Sequence, residues 1–197
     1  MRLGTAYQSK AVGHPQQRSL ASRLGIMLAN TTHSLQIKGL TMTDAVLARL
    51  EALNLKLPEA PAPVANYVPF MFINELLFVS GQISKAADGS TLAGRLGADL
   101  PVEQGREAAR LCALNILAQA HAALGRLDRI AQVVRLTGYV NADPHFTDHP
   151  LVVNGASDLM VEVLGEAGKH TRAAFGVSGL PAGCAVEVDA ILQVTGT

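Results

Sequence analysis

Two charged side chains near the carboxyl end of the sequence have the chemistry of a small-acid site. Arg172 lies in the apolar run 171–178, and Glu187 lies in the run 185–194. A guanidinium group binds a carboxylate through two parallel hydrogen bonds, and a glutamate can orient or deprotonate a water molecule. The pair is therefore compatible with a site that binds a small organic acid and positions a water molecule beside it. The alternative is a surface cross-strand ion pair, worth only about 0.2–1 kcal/mol.

The alternation of side chains along a strand predicts where this pair lies. In the run 185–194 every second residue is apolar, which leaves Glu187 on the other face. In the run 171–178 the residues Ala173, Phe175 and Val177 are expected to face the core, opposite to Arg172. Residues 179–183 form a short connection, so the two runs should be antiparallel neighbours. We therefore expect both charged residues on the face of one hairpin that points away from the helices.

Helix and strand signals along the chain predict the elements around this site. A helix should begin at Thr43, and a long helix should begin near Pro101 and end at Gly125. The order β-β-α-β-α-β-β, with one further strand expected early, predicts an α+β fold with a mixed six-stranded sheet and two helices on one face. The expected strands are 67–73, 76–80, 130–140, 171–178 and 185–194, and the second long helix is 147–164.

Composition excludes several classes of protein. The first 43 residues carry five Lys and Arg and no acidic residue, whereas the remaining 11 Lys and Arg face all 16 acidic residues, a net charge of −5. An acidic body argues against a nucleic-acid partner. No apolar run approaches the length of about 18 residues that a membrane span needs. Two cysteines in 197 residues are typical of a reduced cytoplasmic protein.

The same composition predicts three segments. Residues 1–41 are basic and polar, and they read as a disordered extension or as a start codon assigned too early. Residues 42–65 hold a short helix and a proline-rich linker. Residues 66–197 hold the folded domain.

Four short motifs in order resemble the landmarks of the RidA/YjgF family: FVSGQI at 78–83, TRA at 171–173, LP at 180–181 and VEV at 186–188. The resemblance covers residues 66–194. The segments LGADL at 96–100 and EAARL at 107–111 are similar to a longer subgroup labelled endoribonuclease L-PSP/chorismate mutase-like.

The resemblance implies a chorismate-mutase-like fold in which three subunits form a barrel of sheets with ligand clefts between subunits. Well-studied members hydrolyse reactive enamines and imines, such as 2-aminoacrylate, to a 2-keto acid and ammonia. That reaction needs no metal and no organic cofactor, because the iminium carbon is already electrophilic. The implied partners are a small imino or keto acid and two further copies of the chain.

The resemblance also assigns roles to individual residues. Arg172 would hold the substrate carboxylate, and Glu187 would orient the attacking water. Four residues would line the cleft: Tyr67, Ser80, Gly81 and Asn154.

Two departures from the family pattern leave the activity open. His170 stands where a proline or alanine is usual, and Ala174 stands where a cysteine is usual. The chain could therefore be a trimer that binds a small carboxylate without turnover, and the subgroup label adds an endoribonuclease as a third possibility. A further group of Asp and His between Asp143 and His149 is interpreted as helix-cap and surface residues, not as a metal site.

Overall fold

The computed structural model describes residues 44–62 and 66–196. The predicted extension 1–41 and the predicted cap at Thr43 lie outside the described residues. Within the described part of the chain, no helix combines the length and the apolar character needed to cross a membrane.

One sheet of five strands carries the fold, in the order β1-β2-β5-β3-β4. All neighbouring pairs are antiparallel except β3 and β4, which are parallel and are joined through a helix. Such a parallel pair requires a crossover connection, and α3 provides it. The elements are α1 (Ala45–Ala52), β1 (Phe70–Ile73), β2 (Leu76–Ile83), α2 (Val102–Leu124), β3 (Ile130–Asn141), α3 (His149–Leu164), β4 (Thr171–Val177) and β5 (Val186–Val194).

The prediction of an α+β fold with a mixed sheet is confirmed, but two of its details are wrong. The described residues form five strands, not six. In addition, β4 and β5 are not neighbours, because β3 lies between them. The connection of eight residues between them, 178–185, extends up to about 27 Å, whereas passing one strand requires only about 10 Å. A short connection therefore did not imply a hairpin.

The two long helices cover one face of the sheet, as predicted. Pro101 precedes the first helical residue of α2, and Gly125 ends that helix in the left-handed conformation with a φ of 74°. Thirteen residues of α2 are buried, most of them Ala, Leu and Ile. Because alanine adds little bulk, α2 and α3 can pack closely against each other and against the sheet.

A third helix, α1, packs against the same core. Asp44 caps it, since the Asp44 carboxylate accepts hydrogen bonds from the amides of Val46 and Leu47 at 3.0 and 3.3 Å. The same carboxylate accepts a third bond from the Leu127 amide. Val46 and Leu50 are buried within the main apolar cluster. The predicted short helix is thus part of the packed body, although the sequence placed it in a separate segment.

The other face of the sheet has no helix on it among the described residues. Strand pairing places Met71, Ile73 and Phe175 on this face, and all three are exposed, by 53%, 51% and 42%. An uncovered apolar sheet face of this kind usually binds another protein surface. We call it the open face below.

Candidate active site

Glu187 lies at an irregularity in the sheet. The register between β2 and β5 shifts between Val79 and Gln82, so that Ser80 and Gly81 form a β-bulge. The Gln82 amide stabilises the bulge by donating hydrogen bonds to the carbonyl groups of Ser80 at 2.9 Å and Gly81 at 3.2 Å. The Glu187 carboxylate occupies the space that a side chain at position 81 would need. Glycine at this position is therefore a packing requirement of the glutamate.

A cavity of about 180 Å³ opens beside this bulge. Three residues that the sequence assigned to the cleft line it together: Tyr67, Gly81 and Glu187. Ser80 is adjacent in the chain but does not line the cavity, and its hydroxyl instead donates a 2.8 Å hydrogen bond to the Val68 carbonyl. The structure thus brings three of the predicted site residues into one cavity and gives Ser80 a role in fixing the segment before β1.

The environment of Glu187 favours its neutral form. Partial burial raises the pKa of the carboxyl group, and the nearby carboxylate of Asp189 raises it further. Asp189 accepts a 2.8 Å hydrogen bond from the Tyr139 hydroxyl, which raises the pKa of Tyr139. A carboxyl group with a raised pKa in a small cavity is suited to proton transfer.

Arg172 lies elsewhere, on the edge strand β4. Its Nη1 donates hydrogen bonds to Asn154 Oδ1 at 2.8 Å and to Ser157 Oγ at 3.0 Å, both on α3. In the part of the chain that the structure describes, Nε and Nη2 have no hydrogen-bond partner and no carboxylate lies within 4.0 Å of the guanidinium. One edge of the guanidinium is therefore held and the other remains available for a carboxylate.

The prediction that Arg172 and Glu187 share one face of a hairpin is wrong. Arg172 pairs with the buried Leu136 and faces the helices, whereas Glu187 pairs with Tyr139 on the open face. Phe175 was expected in the core but also lies on the open face, where its ring contacts Tyr139 edge-on at 5.2 Å. Only β3 lies between β5 and β4, which places the backbones that carry Glu187 and Arg172 about 10 Å apart across the sheet.

Small residues that contact α3 explain why the side-chain pattern predicted the wrong faces for β4. A side chain at Gly138 would collide with Val153, and one at Gly176 would collide with His149. Both clashing partners lie on α3. Position 176 on the helix-facing side of β4 therefore requires a glycine, while the bulky Phe175 faces outwards. Side chains alternate along β4 as predicted, but the face predicted to point to the core points away from the helices.

The residues that shape the helix side of the cavity were not predicted from the sequence. Asn115 donates hydrogen bonds to the carbonyl groups of Ile83 at 3.2 Å and Lys85 at 2.9 Å, and Gln119 donates one to Pro61 at 2.6 Å. These amides fix the end of β2 and the proline-rich segment as cavity walls. The signal was present, since two amides four residues apart interrupt an otherwise apolar helix face. Lys85 also lines the cavity and brings a positive charge to it.

The group between Asp143 and His149 behaves as a loop. Asp143 Oδ1 accepts a 2.9 Å hydrogen bond from the His145 amide. Among the described residues, no three His, Cys, Asp or Glu side chains are placed to hold a metal ion.

Comparison with known proteins identifies the group to which this architecture belongs. A family model described as YjgF/chorismate mutase-like, putative endoribonuclease, matches residues 47–191. Protein TCP17 of Trypanosoma cruzi is 49% identical over 150 residues, which cover 76% of this chain and 94% of that protein. The match begins within α1, in agreement with the packing of that helix in the core.

Solved structures agree with this match. A protein of unknown function from Agrobacterium tumefaciens is 45% identical, with a TM-score of 0.71 over 77% of this chain and 94% of that one. A putative endoribonuclease from Shewanella oneidensis is 37% identical, with a TM-score of 0.74 over 76% and 99%. RidA from an Antarctic Psychrobacter is 26% identical, with a TM-score of 0.50 over 69% and 94%. One fold therefore carries different functional labels, so the activity has to be argued from the site.

Proposed function

Because the chain belongs to the YjgF/chorismate-mutase-like family, we propose that it hydrolyses small imino and enamine acids to 2-keto acids and ammonia. The observation that carries this proposal is the complementarity of two half-sites. Arg172 offers a free guanidinium edge with no carboxylate of its own among the described residues, and Glu187 offers a carboxyl group with a raised pKa beside a small cavity.

Arg172 binds the substrate carboxylate in this mechanism. Its Nε and Nη2 form a planar pair of donors, which matches the two oxygens of a carboxylate. Asn154 and Ser157 hold the opposite edge of the guanidinium and so fix its plane. Such fixation reduces the entropy lost on binding and aligns the imine carbon for attack.

Glu187 handles the proton of the attacking water. An enamine first takes up a proton at its β carbon and becomes the iminium ion. The Glu187 carboxylate then accepts a proton from water while the water oxygen bonds to the iminium carbon and the electron pair of the C=N bond moves to nitrogen. Glu187 next returns this proton to the amino group of the carbinolamine. The carbon–nitrogen bond breaks as the hydroxyl oxygen forms the carbonyl of the 2-keto acid, and the hydroxyl proton passes to the departing ammonia, which leaves as ammonium. The raised pKa of Glu187 suits both halves of this cycle, because the group must accept a proton and then release it.

The cavity accommodates a small substrate. Its volume of about 180 Å³ has room for an imino acid with a short side chain or for the enamine 2-aminoacrylate.

The proposal requires more than one copy of the chain. The two half-sites lie on different strands, β5 and β4, and on opposite faces of the sheet. A ring of subunits unites the two half-sites when the β4 edge of one subunit meets the cavity of the next. Such an interface is heterologous, because it joins two different patches of the same protein. The exposed apolar residues of the open face would be buried inside such a ring. We propose a homotrimer, as the family resemblance implies.

Two other activities would make different use of the same fold. A trimer that binds a keto acid without turnover would use the same Arg172, and it differs only in the absence of hydrolysis. An endoribonuclease, the label that some relatives carry, requires a surface that binds a polyanion. With 16 acidic residues against 11 basic ones, the chain from residue 44 onwards does not favour that surface.

The direct test is turnover of 2-aminoacrylate, generated in the cuvette by a pyridoxal-phosphate dehydratase and followed as keto acid formed above the spontaneous rate. Arg172→Ala should lower kcat/KM by about 100-fold or more, since two hydrogen bonds to a charged group contribute about 1.5–3 kcal/mol each. Glu187→Gln should abolish the acceleration but retain binding of the product. Arg106→Ala removes an exposed arginine that pairs with Asp158 at 2.9 Å and is the matched control.

The outcomes separate the three activities. Acceleration by the wild type and by Arg106→Ala alone supports the hydrolase. Binding of 2-oxobutanoate without acceleration supports the binding protein. Cleavage of RNA that is lost in Glu187→Gln would replace both proposals.

A further inference from the structure

A chain of hydrogen bonds continues behind Arg172 into the body of the subunit. Ser157 Oγ accepts from Arg172 Nη1 at 3.0 Å and lies 2.9 Å from His170 Nε2. The other imidazole nitrogen, Nδ1, lies 2.6 Å from the Gly168 carbonyl oxygen. All three side chains are half-buried. The chain therefore links the guanidinium to the backbone just before β4.

The direction of each bond follows from the two ends. A carbonyl oxygen only accepts, so His170 Nδ1 must carry the hydrogen that it shares with Gly168. In the neutral ring Nε2 is then an acceptor, and the Ser157 hydroxyl donates to it. With its hydrogen committed, Ser157 Oγ directs its lone pairs towards Arg172, whose nitrogens only donate. Every donor in the chain meets an acceptor.

We propose that Ser157 and His170 are positioning residues that hold Arg172 in the orientation which binds the substrate carboxylate. This inference rests on the proposed function of Arg172. Arginine has a long side chain with several rotatable bonds, and two acceptors on Nη1 remove much of that freedom. Asn154 provides one acceptor directly. Ser157 provides the other only while His170 keeps the hydroxyl turned away from the guanidinium.

The proposal gives His170 a specific role. Its contribution is a hydrogen-bond acceptor at Nε2, not a positive charge and not contact with substrate. A residue without that acceptor leaves the Ser157 hydroxyl free to rotate, and its hydrogen can then point at the guanidinium. The free edge of Arg172 is then less well ordered, and a carboxylate binds more weakly.

The test measures binding of 2-oxobutanoate by calorimetry, a stable keto acid that requires no turnover. Arg172→Ala should abolish measurable binding. Ser157→Ala and His170→Leu should each raise Kd about three- to tenfold, the range for loss of one hydrogen bond. His170→Gln retains an amide oxygen that can accept from Ser157 and should restore Kd to within about twofold of the wild type. His121→Leu replaces a half-buried histidine on α2 and is the matched control.

A second readout separates positioning from a structural defect. In the imine hydrolysis assay, Ser157→Ala and His170→Leu should raise KM by the same factor as Kd while kcat changes by less than about twofold. A variant that merely damages the fold would lower the fraction of active protein and therefore kcat. Thermal unfolding of the same samples without ligand reports such damage independently.

Two results would overturn the inference alone, and a third would overturn the proposed carboxylate site together with it. If Arg172→Ala abolishes binding but Ser157→Ala and His170→Leu bind like the wild type, the positioning role is wrong and the carboxylate site stands. If His170→Gln is as weak as His170→Leu, the acceptor is not what matters. If the wild type does not bind 2-oxobutanoate, or Arg172→Ala binds it equally well, the carboxylate site itself is wrong and its positioning residues with it.

Discussion

Two regions of the sheet offer opposite halves of one chemistry. The cavity region, beside the bulge in β2, has a carboxyl group with a raised pKa, a wall of amides and a small volume. The β4 edge has a fixed guanidinium with no carboxylate near it among the described residues. In the proposed mechanism neither region alone binds an acid and activates water. The functional unit that we propose is therefore the junction between two copies, not the single chain.

The largest expected effect comes from breaking the junction. Met71→Lys places a charge on the open face, where the side chain is 53% exposed in the single chain and would be buried in the proposed trimer. Burial of an unpaired ammonium group is strongly unfavourable. The variant should be monomeric in analytical ultracentrifugation and should lose all acceleration of imine hydrolysis.

The matched control for this variant is Val161→Lys, which changes an exposed residue on the outer side of α3. It should remain trimeric and active. A monomeric wild type, or an active Met71→Lys monomer, would contradict the proposed assembly.

A smaller effect is expected from disturbing the cavity region alone. The new methyl group of Gly81→Ala occupies the space of the Glu187 carboxylate and forces it to move. We expect kcat to fall by about tenfold or more, because displacement of a reacting group by about 1 Å is costly. Kd for 2-oxobutanoate should change little, since Arg172 is unaffected.

Gly179→Ala is the control for this substitution, because nothing lies within 4 Å of the position that its methyl group would occupy. It should match the wild type in kcat. Equal kcat values for Gly81→Ala and the wild type would show that the position of Glu187 is not critical.

Stability should change in the opposite direction from activity at Glu187. Burial raises the pKa of this carboxyl group, so the folded state disfavours its ionised form. The stability that the protonated form contributes is present below the unfolded-state pKa and is lost as the pH rises through the folded-state pKa. Glu187→Gln should therefore raise Tm at pH 7, and the difference should disappear in acid. A lower Tm at pH 7 would contradict this assignment.

The smallest expected effect is a shift of the pH profile. Asp189 is the second cause of the raised pKa of Glu187, after burial. Asp189→Asn removes the charge and keeps an oxygen that can accept from Tyr139. The acid limb of kcat/KM against pH, which reports the free enzyme, should move to lower pH while kcat/KM at its plateau stays similar. An unchanged limb would indicate that another group controls the profile.

Local signals predicted the elements well because they depend on nearby residues. Pro101 and Gly125 bound α2, and the regular alternation in β5 correctly placed Glu187 away from the core. The neighbours of β4 could not be predicted this way, because no local signal shows that β3 pairs between β4 and β5. The face of Arg172 depended on that pairing and on the close approach of α3.

The site was predicted only in part for the same reason. Tyr67, Gly81 and Glu187 are brought together in one cavity, and Arg172 and Asn154 are brought together by a hydrogen bond. The sequence cannot show that these are two groups on one chain, since the family resemblance places residues in a cleft between subunits without saying which subunit supplies each of them. Strand order and the contacts of α3 separate them.

The central claim is that Arg172 of one subunit and Glu187 of another form each site, and subunit mixing tests it most directly. Arg172→Ala and Glu187→Gln are each expected to be inactive. When they are unfolded together, refolded in equal amounts and assayed, about a quarter of the junctions should combine an intact Arg172 with an intact Glu187. Activity should return to about a quarter of the wild-type value. No recovery, in a mixture shown by native mass spectrometry to contain mixed assemblies, would contradict a site shared between subunits.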